Sequence, residues 1–537
     1  MADPLDPPLD SARHIRYWQR CLRTLLPHHY TSNDSIRLTL GYFILAALDI
    51  LSSPSSFSSP PEDPAKASLI PPKDRPAIRA WILSLQHPHG GFCGSPHHVF
   101  PARYRSAYAR PQQPQPQSQS EEAEGGELQQ QPVAGDPENA NIAATYFALL
   151  ALGVVADGNG SRAFEGVDRW RTLRWLRKLQ REDGSFGENI DADGYVAGGR
   201  DMRSCYLAAT IRWILGGAEA GPEADFDVDK LVAHIRRGQT FDGGIAESSM
   251  HESHAGYAYC AVAALSLLDL ANTDPSASPT HYLQAGIPSI PSLIHFLLSR
   301  QFTYLDPSSD SSSPDPDSPS AAAPADLSKL SLSDEDPHAS STGFNGRLNK
   351  VADTCYAWWV SGALHILGQG ALIDRVPARR FLLEKTQHVI GGFAKHPGGP
   401  PDLYHAYLGL AALATMAGSG SEDGDGDGDG NGSGQAEEGL GRFDPRLCLG
   451  AEAADRIRKG RETLLASSPL HEEQSTGEVG EEGSESEMED SDILKVLKRD
   501  WAEEHRLMED CKRKWRAEGK NPVFEMDRML IERRWNP

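Results

Sequence analysis

The sequence predicts an all-α chain, a toroid of helical hairpins with disordered inserts and a C-terminal helical tail. Three observations carry this prediction: a recurring phrase of apolar helix and glycine turn, alanine- and leucine-rich helical runs between its copies, and low-complexity stretches that interrupt otherwise regular spacing.

The copies are Trp81-Ile82-Leu83-Ser84-Leu85-Gln86 with Gly90-Gly91-Phe92-Cys93-Gly94, Trp175-Leu176-Arg177-Lys178-Leu179-Gln180 with Gly184-Ser185-Phe186-Gly187, and Ile235-Arg236-Arg237-Gly238-Gln239 with Asp242-Gly243-Gly244. Two more are Phe296-Leu297-Leu298-Ser299-Arg300-Gln301 with Gly343-Phe344-Asn345-Gly346, and Phe381-Leu382-Leu383-Glu384-Lys385-Thr386 with Gly391-Gly392-Phe393. Helical runs at 142–155, 204–215, 257–270, 356–367 and 406–416 lie between or after them. Stretches such as Ala144-Thr145-Tyr146-Phe147-Ala148-Leu149-Leu150 are apolar all round, which suits an inner layer, with charged amphipathic helices outside. Once the inserts are removed the spacing is roughly fifty to sixty residues, one helical hairpin each. The glycine turns then gather at one end of the ring.

Segment 103–138 is rich in Gln, Pro and Glu, and 304–340 in Ser, Pro and Asp, so neither buries enough apolar area to order itself; 418–441 is a third such stretch. The toroid therefore occupies 1–465, with 443–465 supplying a last helix, and an acidic linker follows over 466–491. In the tail, 492–537, Leu494, Leu497, Trp501, Met508, Cys511 and Trp515 form an amphipathic stripe beside Lys512, Arg513 and Lys514. That stripe suits either a partner helix or packing on its own domain.

The 537 residues suffice for a large core, and the 39% hydrophobic content, with 38 Pro and 50 Gly, fits a compact domain diluted by inserts. A formal charge of −23 argues against general nucleic-acid binding. Seven scattered cysteines and no secretory leader point to a reducing compartment, the cytoplasm. The longest apolar run, 38–51, is too short to span a bilayer and contains Asp49, so no transmembrane segment is expected.

Chemistry concentrates in 346–356, Gly346-Arg347-Leu348-Asn349-Lys350-Val351-Ala352-Asp353-Thr354-Cys355-Tyr356, and in Asp402-Leu403-Tyr404-His405. Asp353, Cys355 and His405 are zinc-type ligands beside phosphate-type donors. Asp353 and Cys355 converge if Asp353 caps a helix and Cys355 opens its first turn, with His405 arriving from another helix. Three protein ligands leave one tetrahedral position open, the arrangement of a catalytic zinc.

These motifs, with Arg16-Tyr17-Trp18-Gln19-Arg20-Cys21-Leu22, Asp201-Met202-Arg203 and Glu252-Ser253-His254-Ala255-Gly256, resemble the protein prenyltransferase beta subunits over roughly residues 14–465, and among them the type I geranylgeranyl branch. The resemblance implies an alpha/alpha barrel paired with a helical-repeat alpha subunit in a heterodimer. It implies one Zn2+ held by Asp353, Cys355 and His405, whose open position takes the cysteine thiol of C-terminal CaaX proteins such as small GTPases, X often being Leu. The thiolate attacks C1 of geranylgeranyl diphosphate. His254, Arg347, Lys350 and Tyr356 match the family's diphosphate binders, and Tyr356 and Lys395 take catalytic roles at the leaving group. A lysine from the alpha subunit completes that cluster, so this chain alone is expected to be incompetent.

Lys395 stands where farnesyltransferases carry a magnesium-binding aspartate, so magnesium is not expected to be required. Thr39 lies where those enzymes place a tryptophan that blocks the pocket floor, and Leu408 does not restore the block. Phe43 and Trp359 complete the prenyl or peptide pocket, and Arg203 is expected near the peptide end. Asn141 replaces a common histidine, and Ser204 a bulkier side chain, which sets the X-residue pocket apart from the family pattern. The competing readings are a farnesyltransferase or Rab-type beta subunit and a non-catalytic toroid scaffold. A terpene cyclase would need an Asp-rich acid motif in the barrel, whereas the Asp-rich runs here lie in linkers.

Overall fold

In a computed structural model, residues 8–52, 68–96, 140–190, 195–272, 278–304, 341–417 and 440–467 are described, all within the unit Met1–Ser468. The insert expected at 103–138, that at 304–340 except Tyr304, all but the last two residues of that at 418–441, nearly all of the linker and the whole 492–537 tail lie outside the described residues.

The chain pairs an outer helix with an inner one six times among the described residues. The pairs begin with α1 (Ser11–Arg23) and α2 (Arg37–Leu51), α3 (Arg75–Ser84) and α4 (Ile142–Val154), and α5 (Arg169–Lys178) and α6 (Met202–Leu215). Next come α7 (Val228–Arg237) and α8 (Ala255–Leu270), then the short α9 (His281–Gly286) and the pair α10 (Ile290–Leu298) and α11 (Thr354–Ile366). The last pair is α12 (Arg375–Arg380), extended by a π-helical turn Phe381–Thr386, with α13 (Leu403–Ala417). Each inner helix packs on the next in the order α2, α4, α6, α8, α11, α13, and α13 returns to α2. The ring is closed. Leu149, Ala209, Ala263, Val360 and Leu410 of its inner layer are wholly buried. That is why these runs read as apolar on every side.

What joins one pair to the next is a repeated glutamine. Gln180 accepts from the backbone N–H of Asp227 (2.9 Å) and donates to the same residue's carbonyl (2.7 Å), and Asp227 is the N-cap of α7. Gln239 does the same to Ser289, the N-cap of α10 (2.8 and 2.9 Å). Gln86 accepts from Asp168 N–H, at the cap of α5, and Gln301 from Asp374 N–H, at the cap of α12. The fifth clasp closes the circle: Gln387 meets His14 of α1 at 2.9 Å, and the other ring nitrogen of His14 accepts from Gly392 N–H. Six residues beyond these glutamines on the same turns, Phe92, Phe186, Ile245 and Phe393 are fully buried. At Gly184 (φ +86) a Cβ would lie 1.9 Å from the Lys230 carbonyl, so the turn reaches the next outer helix only as glycine.

Two departures from the expected elements have local causes. Residues 443–450 are not helical: Phe443–Asp444 (β5) pairs antiparallel with Leu449–Gly450 (β6), because the Asp444 carboxylate accepts from Arg446 N–H and holds a tight turn. The last helix, α14 (Ala451–Ala466), starts after it and lies against α4 and α6. The insert near 304–340 is flanked by a pair, β3 (Gln301–Tyr304) with β4 (Ser341–Phe344), that the helical pattern did not foretell, so Tyr304 belongs to a strand. A two-residue pair, β1 (Asn189–Ile190) with β2 (Val196–Ala197), sits before α6.

Two predictions follow from the clasps. Gln239→Ala strands the backbone groups of Ser289 and is expected to cost about 1–3 kcal/mol, read as a lower urea midpoint. Burial lowers the pKa of His14 from 6.5 to about 4, with the Gln387 hydrogen bond opposing. Between those values the unfolded chain holds a proton that the folded chain refuses. Stability is therefore expected to fall as pH drops from 6.5 toward 4, by at most about 3 kcal/mol from this residue, and His14→Gln should flatten the slope in pH-dependent melts.

Candidate active site

The inner helices present their N-caps on one rim: Asn141 for α4, Asp201 for α6, His254 for α8 and Asp353 for α11. The positive ends of the helix dipoles therefore gather there, which favours anions.

Asp353 caps α11 by accepting from Cys355 N–H at 2.8 Å, and this turn points the carboxylate and the thiol to the same place. His405, in the first turn of α13, approaches with Nε2 3.3 Å from Asp353 Oδ1. One ligand atom from each of Asp353, Cys355 and His405 lies within 4.8 Å of the others, and no other such group of three occurs among the described residues. Asp402 accepts at 2.6 Å from His405 Nδ1, which leaves Nε2 facing the group. Sequence reasoning passed over Asp402 as a functional residue, although its i, i+3 spacing to His405 on a helix start was a usable signal.

The electrostatics suit a cation. Burial disfavours charge on His405, yet the carboxylates of Asp353 and Asp402 raise its pKa to about 9. Burial also opposes ionisation of Asp353, but His405 and Cys355 outweigh it and hold the carboxyl below its ordinary value. Burial, and then the Asp353 charge, push the Cys355 thiol well up, while Trp359 and Tyr404 hydrogen-bond it and oppose that rise. A proton on His405 and another on Cys355 thus hold the place of positive charge in a buried cluster of thiol, imidazole and carboxylate. A divalent metal ion fits that donor set.

Beside this group, Tyr356 directly follows Cys355, and its hydroxyl lies 2.9 Å from His254 Nε2. Gly256 N–H donates to His254 Nδ1, so Nε2 carries the proton and donates to Tyr356, leaving the phenol hydrogen free to donate outward. Burial, with Arg347 and Arg203 nearby, lowers the His254 pKa to about 4, so the ring is neutral. Gly346 lets the Tyr356 ring close on the backbone, since a Cβ there would lie 2.2 Å from ring carbons. Arg347 pairs with Glu252 at 3.0 Å, both partly exposed, and Lys350 is exposed one turn of chain away. Lys395 meets the same helix start through its carbonyl, which accepts from Thr354 N–H at 3.0 Å.

A cavity of about 810 Å³ lies inside the ring. Phe43, Asn141, Arg203, Ser204, Trp359 and Leu408 line it, together with Tyr404 and the unforeseen tyrosines of the inner helices. Thr39 does not line it: it sits half-buried in the first turn of α2, and that helix meets the cavity through Tyr42 and Phe43. Arg203 pairs with Asp201 and is largely exposed. Because Trp359 and Tyr404 both line the cavity and hydrogen-bond Cys355, the cavity opens directly against the metal-type cluster.

Residues 9–449 match the prenyltransferase alpha-alpha toroid domain. The chain is 28% identical over 420 residues to the geranylgeranyl transferase type-1 subunit beta of Arabidopsis thaliana, covering 75% of this chain and 84% of that one. It is 26% identical to the Dictyostelium discoideum protein of the same name (76% and 90% covered), and 26% identical to the protein farnesyltransferase subunit beta of Pyricularia oryzae (76% and 63%). The solved Candida albicans protein geranylgeranyltransferase-I complexed with GGPP shares the fold, with a TM-score of 0.56, 23% identity, and coverage of 84% of this chain and 99% of that one.

Zinc titration followed by calorimetry should give one site per chain. Cys355→Ala or His405→Ala is expected to abolish it, and Asp402→Asn to weaken it by about 10–100-fold.

Proposed function

Because the chain belongs to the prenyltransferase alpha-alpha toroid family, we propose that it is the catalytic beta subunit of a heterodimeric protein geranylgeranyltransferase of type I. The observation that carries this reading is the juxtaposition of three elements on one rim: the Asp353, Cys355 and His405 cluster, the His254 and Tyr356 donor pair, and the apolar cavity. Zinc bound by those three residues would lower the pKa of a CaaX cysteine thiol so that it is a thiolate at neutral pH.

The chain's own residues do the rest. The apolar cavity holds the prenyl tail and keeps water from C1. As the sulfur–C1 bond forms and the C1–oxygen bond breaks, negative charge grows on the departing diphosphate. The Tyr356 hydroxyl, oriented by neutral His254, donates to it, and Arg347, Lys350 and Lys395 supply positive charge. Arg347 exchanges a weak, partly exposed pair with Glu252 for a phosphate oxygen. Lys395 takes the place of a magnesium ion, and Leu408, which lines the cavity without an aromatic ring, leaves room for a fourth isoprene unit. Residues 1–465 form the catalytic body, and the acidic linker and amphipathic tail are appendages to it. On this reading the chain acts in the cytoplasm on small GTPases and similar CaaX proteins; no helix among the described residues is long and apolar enough to cross a membrane.

Co-expressed with its alpha subunit and loaded with zinc, the chain is expected to transfer geranylgeranyl to a Cys-a-a-Leu peptide in single turnover without magnesium. Lys395→Asp should make the rate magnesium-dependent, and Leu408→Trp should shift preference to farnesyl diphosphate. No transfer from either diphosphate by a zinc-loaded heterodimer would favour the scaffold reading.

A further inference from the structure

One end of the ring is closed from inside by the turn between β5 and β6. Tyr259 donates to the carbonyl of Pro445 (2.8 Å), Tyr206 to that of Arg446 (2.9 Å), and Tyr42 and Tyr407 both to that of Cys448 (3.0 and 2.6 Å). Tyr146 meets the Tyr206 hydroxyl at 3.1 Å. The turn is stiffened from its own side, since Asp444 holds Arg446 N–H, Arg458 pairs with Asp444, and Arg446 Nε donates to Ser266 Oγ at 2.7 Å.

These aromatic residues share one level. Tyr146, Tyr206 and Tyr259 stand five residues after the helix caps Asn141, Asp201 and His254, and Trp358 stands five after Asp353, with its ring 5.1 Å from Phe443. At the helical rise of 1.5 Å per residue the belt lies about 7.5 Å below the rim. Below this belt the cavity meets main chain pinned to tyrosines. Of the turn, Cys448 alone contributes to the cavity wall, and its backbone is left-handed (φ 53), a conformation uncommon outside glycine.

We propose that the clasped turn 445–448 is the end wall of the prenyl cavity and that the Cys448 side chain is a determinant of prenyl chain length, acting beyond Leu408. The inference rests on the prenyltransferase reading of the site. The belt fixes the carbonyls, so the turn cannot retreat from a longer chain, and the space left depends on what side chain the turn carries. A bulkier group at 448 takes room from the last isoprene unit. Glycine there enlarges the end and also relieves the positive φ, so that variant keeps the fold.

The test uses the zinc-loaded heterodimer with diphosphates of ten, fifteen, twenty and twenty-five carbons, in single turnover on one CaaX peptide, with melting temperatures for each variant. Cys448→Phe is expected to lower geranylgeranyl relative to farnesyl transfer by about tenfold or more, the scale of discrimination that one or two methylenes carry in an apolar pocket. Cys448→Gly should raise use of the twenty-five-carbon donor while melting at or above the parent. Unchanged donor ratios in both variants, with the parent active, would overturn the end-wall assignment alone. A parent inactive with every donor would overturn the prenyl reading and this inference with it.

Discussion

The ring depends on a glutamine amide clasp made at five of its six hairpin junctions, bidentate at Gln180 and Gln239. A glutamine at the end of one outer helix takes the place of the missing backbone partner at the start of the next, meeting the N–H of its cap residue and, at Gln180 and Gln239, that residue's carbonyl as well. These are groups that a helix start cannot satisfy internally. Because both partners belong to the backbone frame, the clasp sets the position of each hairpin against the next, and the apolar contacts of the inner helices then fall into register. At the seam the same glutamine finds His14 instead of a cap, and a neutral imidazole that donates on one side and accepts on the other joins last turn to first.

Regular placement of the hairpins brings the inner helix caps to one rim, and the chemistry is built from the caps. Asp353 and His254 each complete a helix start while offering a ligand or a donor to the site, so one group serves both fold and function. The low pKa of His254 and the high pKa of His405 show how position separates two histidines on that rim. Burial and two arginines keep the first neutral, whereas two carboxylates overcome burial at the second. A neutral hydrogen-bond donor thus stands beside a cation-seeking cluster, the arrangement that the proposed transfer from a departing diphosphate would use.

Much of this architecture was legible before the structure. The five turn phrases, the uniformly apolar inner runs and the spacing of Asp353, Cys355 and His405 gave the toroid and the cluster, because helix periodicity and capping are local in sequence. The repeated glutamines were equally visible in Gln86, Gln180, Gln239 and Gln301, but their partners stand about fifty to eighty residues away, and no local rule names them. Residues 443–450 read as the beginning of a helix, and the Asp444 turn makes them a hairpin instead.

The sequence by itself therefore determined the class of fold, the family resemblance, the metal-type ligands and the donors around them, since each is encoded by residue type at short spacing. Tertiary structure alone decided where the cavity ends and what walls it. That wall is made of tyrosines from four separate inner helices converging on carbonyls of one turn near the C-terminal end of the ring, and the convergence exists only after the circle has closed.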